Sequence, residues 1–342
     1  MKSLRILSDL HHSALGHSLK LLFEDRFGAE LYFPIGMEWV EEKWWLLHKP
    51  YDYNLETAQQ YLGIKSEHKL VENHYEVEEL HEHYTQKRIS LEQFKEMDID
   101  IIIASIPDHW ESFTKLRDKY KPNAKVICQA GNMFHETEDM IRKGTIKNLM
   151  ASTKEFPTNI NSVFYHQEFP LTIFKPTSFS PEKRISSFIN VYQENQGYFD
   201  YLQLRAEMPD WEFKSFGGQN EDGVIAGIDN IALEIQKSAW ILHSKYMGDG
   251  FGHVLFTAMA CGKPVITRFS DYKGKLGEEL LEDEVTALDI DLHSFADIYL
   301  YIATLEPIKY EWMCQQAYER FTSCVDYDKE AQNIRKFLEN LK

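Results

Sequence analysis

Three glycines precede a short apolar segment in the stretch MGDGFGHVLFTAMACGKPVIT, residues 247–267. Glycines at 248, 250 and 252 allow the backbone to approach a ligand closely, because they carry no side chain. A helix that begins after them offers N–H groups and the positive end of its dipole to an anion. Gly262 and Pro264 then carry helix-stop signals. The stretch therefore predicts a strand, a loop, a helix and a second strand, with the loop either a phosphate site or a simple tight turn.

A second group of candidate residues follows the first predicted strand. Asp9, His11, His12 and His17 surround a turn that contains Gly16. A turn at a helix start lets main-chain N–H groups face a phosphate, and a histidine nearby is a candidate general base. The alternative for these residues is an ordinary turn with surface histidines.

Length and charge limit the kinds of protein that this chain can be. A chain of 342 residues, 43% of them hydrophobic, is long enough for more than one core. Lys and Arg total 37 against 54 acidic residues, which gives a net charge of -17. Such a charge repels phosphate backbones and anionic lipid surfaces, so nucleic acid is a disfavoured partner.

Cysteine usage and hydropathy bear on the compartment. The four cysteines show neither CxxC pairs nor a dense disulfide framework. The N-terminus MKSLRILSDLHH runs into a strand-like stretch without a long apolar region, and no run of about 18 apolar residues occurs. We therefore expect a cytoplasmic protein with neither a visible signal peptide nor a transmembrane segment.

Strands that alternate with helices predict a parallel, doubly wound α/β sheet in the first half of the chain. Residues 4–7 and 99–107 read as buried strands, and a helix fits residues 18–27. Residues 38–96 interrupt this series and are rich in Trp, Tyr, His and Glu. We expect a mostly helical insertion there, with a solvated helix over residues 76–88.

A second series of strands and helices starts near residue 184. Strands are predicted at 184–192, 211–218 and 235–244, and the last of these leads into the glycine-containing stretch. The C-terminal segment from 328 reads as an amphipathic helix. We expect an N-terminal Rossmann-like domain at 1–165, a C-terminal one at 166–322, and a terminal helix at 323–342 that packs back on the first domain.

The stretch resembles the C-terminal domain of GT-B glycosyltransferases, particularly the retaining GT4-like type. The matching residues are DGFG at 249–252, AMACG at 258–262 and PVI at 264–266. The resemblance implies a GT-B fold, in which two Rossmann-like parallel-sheet domains face each other across a cleft. It also implies an enzyme of the hexosyltransferase type that moves a sugar from a nucleotide-sugar, with retention of configuration and without a metal.

The same resemblance assigns site residues. Asp249 matches the first acid of the E-x7-E motif, which contacts the sugar, whereas Thr257 stands where the second acid binds the ribose. The motif is thus degenerate, since one hydroxyl cannot replace a carboxylate that accepts two hydrogen bonds. The family's Arg and Lys clamp is replaced by NVYQENQGYF at 190–199, so compensation is expected from Lys214, Lys245 or Arg205, or from the helix dipole alone.

We expect the donor to lie between two turns of the C-terminal domain, and the acceptor on the N-terminal side. The expected donor-site residues outside the E-x7-E positions are Gly16, Gly217, Gly218, Lys214, Lys245, Gly250, Phe251, Gly252 and His253. Asp249, His109 and His11 are the candidate catalytic residues. His109 follows the strand at 99–107, although Asp108 beside it can equally be a helix cap.

No cofactor other than the nucleotide-sugar co-substrate is expected. His81 and His83 are two residues apart, so on a helix they point to different faces and predict no metal site. Three alternative functions stay open: a catalytically silent protein that binds a sugar or nucleotide, a nucleotide-sugar epimerase or hydrolase, and a nucleic-acid or nucleotide glucosyltransferase.

Overall fold

The computed structural model describes residues 3–9, 12–34, 68–79, 82–105, 107–131, 134–154, 156, 159–178 and 181–342. The chain divides into two compact units. The first unit contains Met1–Phe169 together with Tyr327–Lys342, and the second contains Pro170–Asp326. In the described part of the chain no helix is long and apolar enough to cross a membrane. All four cysteines are free.

The described residues of the first unit form a nine-stranded sheet in the order β3-β4-β5-β2-β1-β6-β7-β8-β9. Neighbouring strands pair in parallel over the part of the sheet that runs β5-β2-β1-β6-β7-β8-β9. The strands are β1 (Arg5–Ser8), β2 (Glu30–Pro34), β3 (His68–Val71), β4 (His74–Glu79), β5 (Tyr84–Ile89), β6 (Ile101–Ala104), β7 (Lys125–Ala130), β8 (Asn148–Ala151) and β9 (Asn161–Phe164). The parallel sheet predicted from the alternating pattern is confirmed.

The helix predicted over residues 76–88 is wrong. The structure has an antiparallel hairpin there, in which β4 pairs with β5 and Val77 faces Gln86. The inward face of the hairpin mixes apolar and polar side chains: Val77 and Tyr84 are buried, and so are Glu79, Gln86 and Arg88. The three buried polar residues interrupt the alternation of apolar and polar side chains that signals a strand, so the period of two is hard to recognise in the sequence. The rest of the predicted helical insertion, residues 38–67, lies outside the described residues.

Helices cover the sheet of the first unit. The described ones are α1 (Ser13–Lys20), which continues directly as a π-helical segment (Leu21–Arg26), α2 (Leu91–Glu96), α3 (Pro107–Tyr120) and α4 (Phe134–Arg142). Helix α1 begins earlier than the sequence predicted, at the residue after His12. Two clusters of buried side chains surround the sheet, one of them containing Ile102, Trp110 and Phe113 and the other Ile6, Phe23 and Phe33.

The second unit contains a five-stranded parallel sheet in its described residues, in the order β11-β10-β12-β13-β14. Its strands are β10 (Glu182–Ser187), β11 (Glu212–Ser215), β12 (Ser238–Leu242), β13 (Val265–Thr267) and β14 (Ala287–Asp289). Its helices are α5 (Tyr198–Glu207), α6 (Ile228–Lys237), α7 (His253–Ala260), α8 (Phe295–Thr304) and α9 (Pro307–Cys324). Tyr192, Tyr201 and Trp240 are among the largest side chains of its core.

The last helix belongs to the first unit although the whole second unit precedes it in the chain. Helix α10 (Tyr327–Glu339) buries Ile334 and Phe337 in the same cluster as Ile6 and Phe33. Glu330 accepts hydrogen bonds from the backbone N–H and the ring of His166, each at 2.7 Å. Apolar burial and these polar contacts therefore hold the chain end on the first sheet.

Candidate nucleotide site and acid–histidine pair

The order of the strands reverses at one point of the second sheet. From β10 the chain first adds β11 on one side and later β12 on the other side. In open parallel sheets, ligands bind at such a switch point, outside the carboxyl ends of the strands. The loops after β10 (residues 188–197) and β12 (residues 243–252, here the glycine loop) flank this point.

The glycine loop leads directly into helix α7. Gly252 has a φ of 82°, a left-handed conformation that glycine adopts without strain, and α7 begins at His253. Earlier in the loop, a Cβ on Gly248 would lie 2.5 Å from the carbonyl oxygen of Asp271. The neighbouring loop holds the turn further, since Met247 N–H donates to Asp271 Oδ1 at 3.1 Å. The β-loop-α-β unit predicted from the glycine and proline positions is present, and its loop is well braced.

Asp249 is bound by two side chains of its own unit. His243 Nε2 lies 2.7 Å from Asp249 Oδ2, and the ammonium of Lys245 donates to Oδ1. Burial by itself raises the pKa of the Asp249 carboxyl, but the His243 hydrogen bond and the Lys245 charge outweigh it and hold this pKa well below its usual range. Asp249 is thus an ionised carboxylate that bridges His243 and Lys245.

Two other residues of the stretch face the interior. Thr257 is 2% exposed, and its hydroxyl approaches the carbonyl of His253 at 2.8 Å and that of Val254 at 3.2 Å. Phe251 stacks on Phe256 with ring centroids 4.4 Å apart and is buried. The hydrogen bond from the Thr257 hydroxyl to the preceding turn is usual for a threonine inside a helix. In this conformation neither side chain is presented to a ligand.

The loop after β10 packs closely against the glycine loop. A Cβ on Gly197 would overlap the main-chain carbonyl of Ser244, so only glycine fits there. Asn195 Oδ1 accepts hydrogen bonds from Gly197 N–H at 2.9 Å and from Tyr246 N–H at 3.1 Å. One amide side chain therefore fastens the two loops together. The sequence pattern alone gave no signal for this contact.

The turn at Gly217 and Gly218 is fixed by two asparagines. A Cβ on Gly217, whose φ is 138°, would lie within 3 Å of Asn190 Oδ1, Asn220 Nδ2 and the Ile189 carbonyl oxygen. Gly218 N–H donates to Asn190 Oδ1 at 3.0 Å. Asn220 Nδ2 donates to the Ile189 carbonyl at 2.6 Å. This predicted site element is thus a rigid turn beside the switch point.

The expected compensating lysines are both paired with acids. Lys214 Nζ lies 2.9 Å from Asp222 and 3.4 Å from Glu212, while Lys245 is bound to Asp249. Sequence reasoning missed another cation, Arg268, which follows β13. Its guanidinium binds both Asp200 oxygens at 2.7 and 2.8 Å and Asp291 at 3.0 Å. Positive charge exists at this edge of the sheet, but carboxylates offset each of these three groups.

The first sheet has its own switch point, between β1 and β6. Asp9 follows β1, and its Oδ2 accepts hydrogen bonds from the N–H and hydroxyl of Ser105, each at 2.8 Å. His109, in the first turn of α3, binds the same oxygen through Nδ1. The side chains of Asp9 and His109 are each 2% exposed. The structure thus joins a predicted candidate, His109, to an acid that lies 100 residues earlier.

The phosphate turn predicted at Gly16 is wrong. Gly16 lies inside helix α1, and its N–H donates to the His12 carbonyl at 2.9 Å, so it is occupied by the helix. A Cβ there would lie 2.5 Å from the hydroxyl of Tyr84, whose ring stacks on His17 at 4.7 Å. Close packing, not anion binding, explains this glycine. His11, the other candidate of this region, lies outside the described residues.

One group of side chains among the described residues brings three possible metal ligands together: Asp283, Glu284 and His293. Asp283 already binds the Asp289 N–H at 2.9 Å and His293 Nε2 at 2.7 Å. These contacts explain the cluster as a local brace between β14 and the turn before it. His81 lies outside the described residues, so the predicted absence of a metal at His81 and His83 stays a prediction.

No protein-family model matches the sequence, and no curated protein matches it significantly. Solved structures do match the whole chain. A structure of Anabaena HepE in complex with UDP and glucose has a TM-score of 0.65 at 11% identity and covers 99% of this chain and 100% of that one. A glycosyltransferase from Rickettsia africae has a TM-score of 0.63 at 11% identity and 99% coverage of both chains.

A third match is an alpha-glucosyltransferase in complex with UDP and a 13-mer DNA. Its TM-score is 0.59 at 11% identity, with 99% of this chain and 100% of that chain covered. Identities this low speak to architecture and not to activity. The chain therefore has the α/β fold of GT-B glycosyltransferases, with one large sheet that is mostly parallel and a second, fully parallel one.

Proposed function

We propose that this protein is a glycosyltransferase that moves a hexose from a nucleotide-sugar donor to an acceptor. The observation that carries the proposal is the position of the glycine loop and helix α7 at the switch point of the second sheet. Main-chain N–H groups in the first turn of a helix point along its axis, where an anion is stabilised. Matching folds that hold UDP support a nucleoside diphosphate as this anion.

Departure of the diphosphate is the step that this site assists. As the bond between the sugar and the phosphate breaks, negative charge grows on the phosphate oxygen. Fixed N–H donors stabilise that charge without reorganising, which is the main electrostatic contribution in such sites. The braces at Asn195 and Asp271 keep the donors in place. The proposed chemistry needs no metal, and a turnover rate that EDTA leaves unchanged is expected.

Asp249 has a different role from the one that the resemblance implies. Because its carboxylate bridges His243 and Lys245, we assign it to positioning Lys245 at the edge of the loop. Lys245, whose side chain is 36% exposed, is then the cation that reaches the diphosphate. Asp249→Asn is expected to raise KM for the donor more than it lowers kcat.

His109, the catalytic candidate of the first unit, has a side chain that is only 2% exposed, so we assign it to positioning the loops after β1 and β6 and not to contact with the acceptor. Retention of configuration at the sugar is part of the proposal on the strength of the resemblance. NMR assignment of the product anomer tests it, and an inverted product would remove the GT4-like mechanism.

A catalytically silent protein that binds a nucleotide or sugar is the second candidate. It is favoured by the inward-facing Thr257 and the internally bound Asp249, which occupy both acidic positions of the motif. Such a protein would bind a nucleotide-sugar without transferring its sugar to any acceptor or to water. Release of free sugar without an acceptor would instead indicate a hydrolase, and a changed donor sugar an epimerase.

The deciding experiment is calorimetric titration of the whole chain with UDP, GDP, ADP and TDP, followed by turnover assays with sugar forms of any ligand that binds. We expect a dissociation constant in the micromolar range, as is common for enzyme substrates. Lack of binding to every nucleotide would overturn the proposal. Binding to duplex DNA is disfavoured by the net charge of -17 and is tested in the same buffer at low salt.

A further inference from the structure

Lys275 lies in the turn that follows β13, and its ammonium binds main-chain oxygens of two loops. It donates to the carbonyl of Met247 in the glycine loop and, at 2.8 Å, to the carbonyl of Asp271 in its own turn. A hydrogen bond from the Lys275 N–H to the Tyr272 carbonyl at 2.9 Å closes that turn. The glycine loop follows β12, so this one side chain joins the loops after two neighbouring strands.

Both main-chain polar groups of Met247 are bound from that turn. Its N–H donates to Asp271 Oδ1 at 3.1 Å, and its carbonyl accepts from Lys275. The φ of Met247 is 63°, a left-handed conformation that is costly for a residue with a Cβ. A conformation of this kind persists only where the surrounding structure imposes it. We therefore attribute the path of the glycine loop at Met247 to its contacts with Asp271 and Lys275.

The next residue packs directly against the same turn. Gly248 is also left-handed, with a φ of 60°, and its N–H donates to the Lys245 carbonyl at 2.6 Å. A Cβ on Gly248 would lie 3.1 Å from Lys275 Nζ, in addition to its clash with the Asp271 carbonyl. Two successive left-handed residues thus form this part of the glycine loop, and Lys275 lies beside both. Residues 249–252, which lead into helix α7, continue from this fixed point.

Lys275 is partly buried among charges of the glycine loop and of its own turn. Burial lowers the pKa of Lys275 below its usual range, and the negative charges of Asp271 and Asp249 oppose this shift. Lys245 adds to the lowering as a like charge. An ammonium that is partly removed from water needs acceptors, and the carbonyls of residues 247 and 271 supply them. Because hydrogen bonds from a charged donor are about twice as strong as neutral ones, this contact is suited to hold a strained loop.

We propose that Lys275 is a positioning residue for the diphosphate, because its ammonium holds the glycine loop in the conformation that binds the anion. The inference rests on the proposed function and adds the residue that fixes the shape of the anion site. Lys245 stays the cation that reaches the ligand, so the two lysines have different roles. Without Lys275, the cost of ordering the strained loop would reduce the affinity for every ligand that binds through its diphosphate.

Loss of the ammonium tests the proposal in calorimetric titrations. Lys275→Met keeps an unbranched side chain without the charge and is expected to weaken the binding of UDP and of inorganic pyrophosphate about tenfold, the effect of losing a hydrogen bond to a charged group. Lys275→Arg keeps a charged donor and is expected to bind both ligands within about threefold of the unaltered protein. Lys273→Met is the matched control, because it removes the same charge from an exposed side chain two residues away. It is expected to change neither affinity by more than about twofold.

A double-mutant cycle with Met247 separates positioning from direct attraction of the anion. Glycine adopts the left-handed conformation without strain, so Met247→Gly removes the conformational cost that the Lys275 contact offsets. In the Met247→Gly protein, Lys275→Met is therefore expected to weaken pyrophosphate binding only about threefold, against about tenfold in the unaltered protein. If Lys275 acted only by attracting the anion, the loss would be the same in both backgrounds.

Amide hydrogen exchange measures the state of the glycine loop without any ligand. The Met247 and Gly248 N–H groups both donate hydrogen bonds in this structure. Lys275→Met is expected to speed exchange in a peptide that covers residues 243–252 about fivefold or more, because local opening becomes less costly. Lys273→Met is expected to leave this exchange rate unchanged.

An unchanged pyrophosphate affinity in Lys275→Met would overturn the positioning role, and so would an equal loss in the two Met247 backgrounds or an unchanged exchange rate. Circular dichroism spectra of all variants check that the second unit is folded. If the unaltered protein binds neither UDP nor pyrophosphate, the proposed function itself fails. A protein that binds both ligands but does not respond to Lys275→Met contradicts only the role of Lys275, so the two failures are distinguishable.

Discussion

The switch points of the two sheets carry similar groups in different surroundings. In the first unit Asp9 binds His109, and both side chains are 2% exposed. In the second unit Asp249 binds His243 and Lys245, and the Asp249 and Lys245 side chains are 18% and 36% exposed. The carboxylate–imidazole pair of the first unit is thus shielded from solvent, and we call that switch point sealed. In the second unit the carboxylate also binds a lysine that is partly exposed, and we call that switch point open.

This difference indicates how the two ends of the sheets are used. A charge with nearly full burial is kept only when several hydrogen bonds compensate it, and Asp9 Oδ2 receives three. Such a group fixes the loops after β1 and β6 relative to each other. Lys245 is only partly buried, so its ammonium can exchange partners when an anion arrives. The proposed function therefore assigns the charged ligand to the second switch point and not to the first.

The largest effect is expected for Asp9→Asn. The amide cannot accept as a carboxylate does, and it leaves buried donors of Ser105 and His109 poorly paired. Loss of a buried charged partner costs about 3 kcal/mol of unfolding free energy. Urea denaturation followed by tryptophan fluorescence measures it. A cost no larger than that of Asp249→Asn would contradict the distinction between a sealed and an open switch point.

Asp249→Asn is expected to have a smaller effect. It should lower the unfolding free energy by about 2 kcal/mol at pH 7, the typical value of hydrogen bonds to a charged group. Burial alone would raise the pKa of Asp249, but His243 and Lys245 hold it below its usual range. A depressed folded pKa stabilises the protein above the unfolded pKa, about 3.9, and this stabilisation is lost as the pH falls further. The difference in unfolding free energy between the unaltered protein and Asp249→Asn should therefore become smaller as the pH falls below about 4. A difference that does not change with pH would contradict this prediction.

Local chemistry explains what the sequence allowed us to predict. Gly252, Gly262 and Pro264 report helix ends through backbone requirements that are visible in a single stretch. Contacts between residues far apart in the chain leave no such trace. Asp9 and His109 are 100 residues apart, and only the pairing of β1 with β6 brings them together.

The misassigned regions share one physical cause, which is burial of polar or small residues. In the β4–β5 hairpin, Gln86 and Arg88 face inward and hide the alternation that marks a strand. The sequence around Gly16 is typical of a functional turn, but the residue is a glycine because the Tyr84 hydroxyl packs against its backbone. A glycine or a charge in the sequence reports a special environment, but only the fold decides whether that environment is a site or a packed interior.

The smallest effect is expected at the brace before β14, away from both switch points. A hydrogen bond with Asp283 raises the pKa of His293, and partial burial opposes it. A raised folded pKa stabilises the protein below the unfolded pKa, about 6.5, and the stabilisation is lost as the pH rises through the folded pKa. His293→Gln should lower the unfolding free energy by about 0.5 kcal/mol at pH 6 and by less at pH 9, as expected for an ion pair that solvent partly reaches. Denaturation at both pH values tests this, and nucleotide affinity measured alongside should not change. A parallel loss of nucleotide affinity would mean that the contact between Asp283 and His293 also helps to hold the glycine loop. The open switch point would then depend on residues beside β14 as well as on the contacts of Asp249.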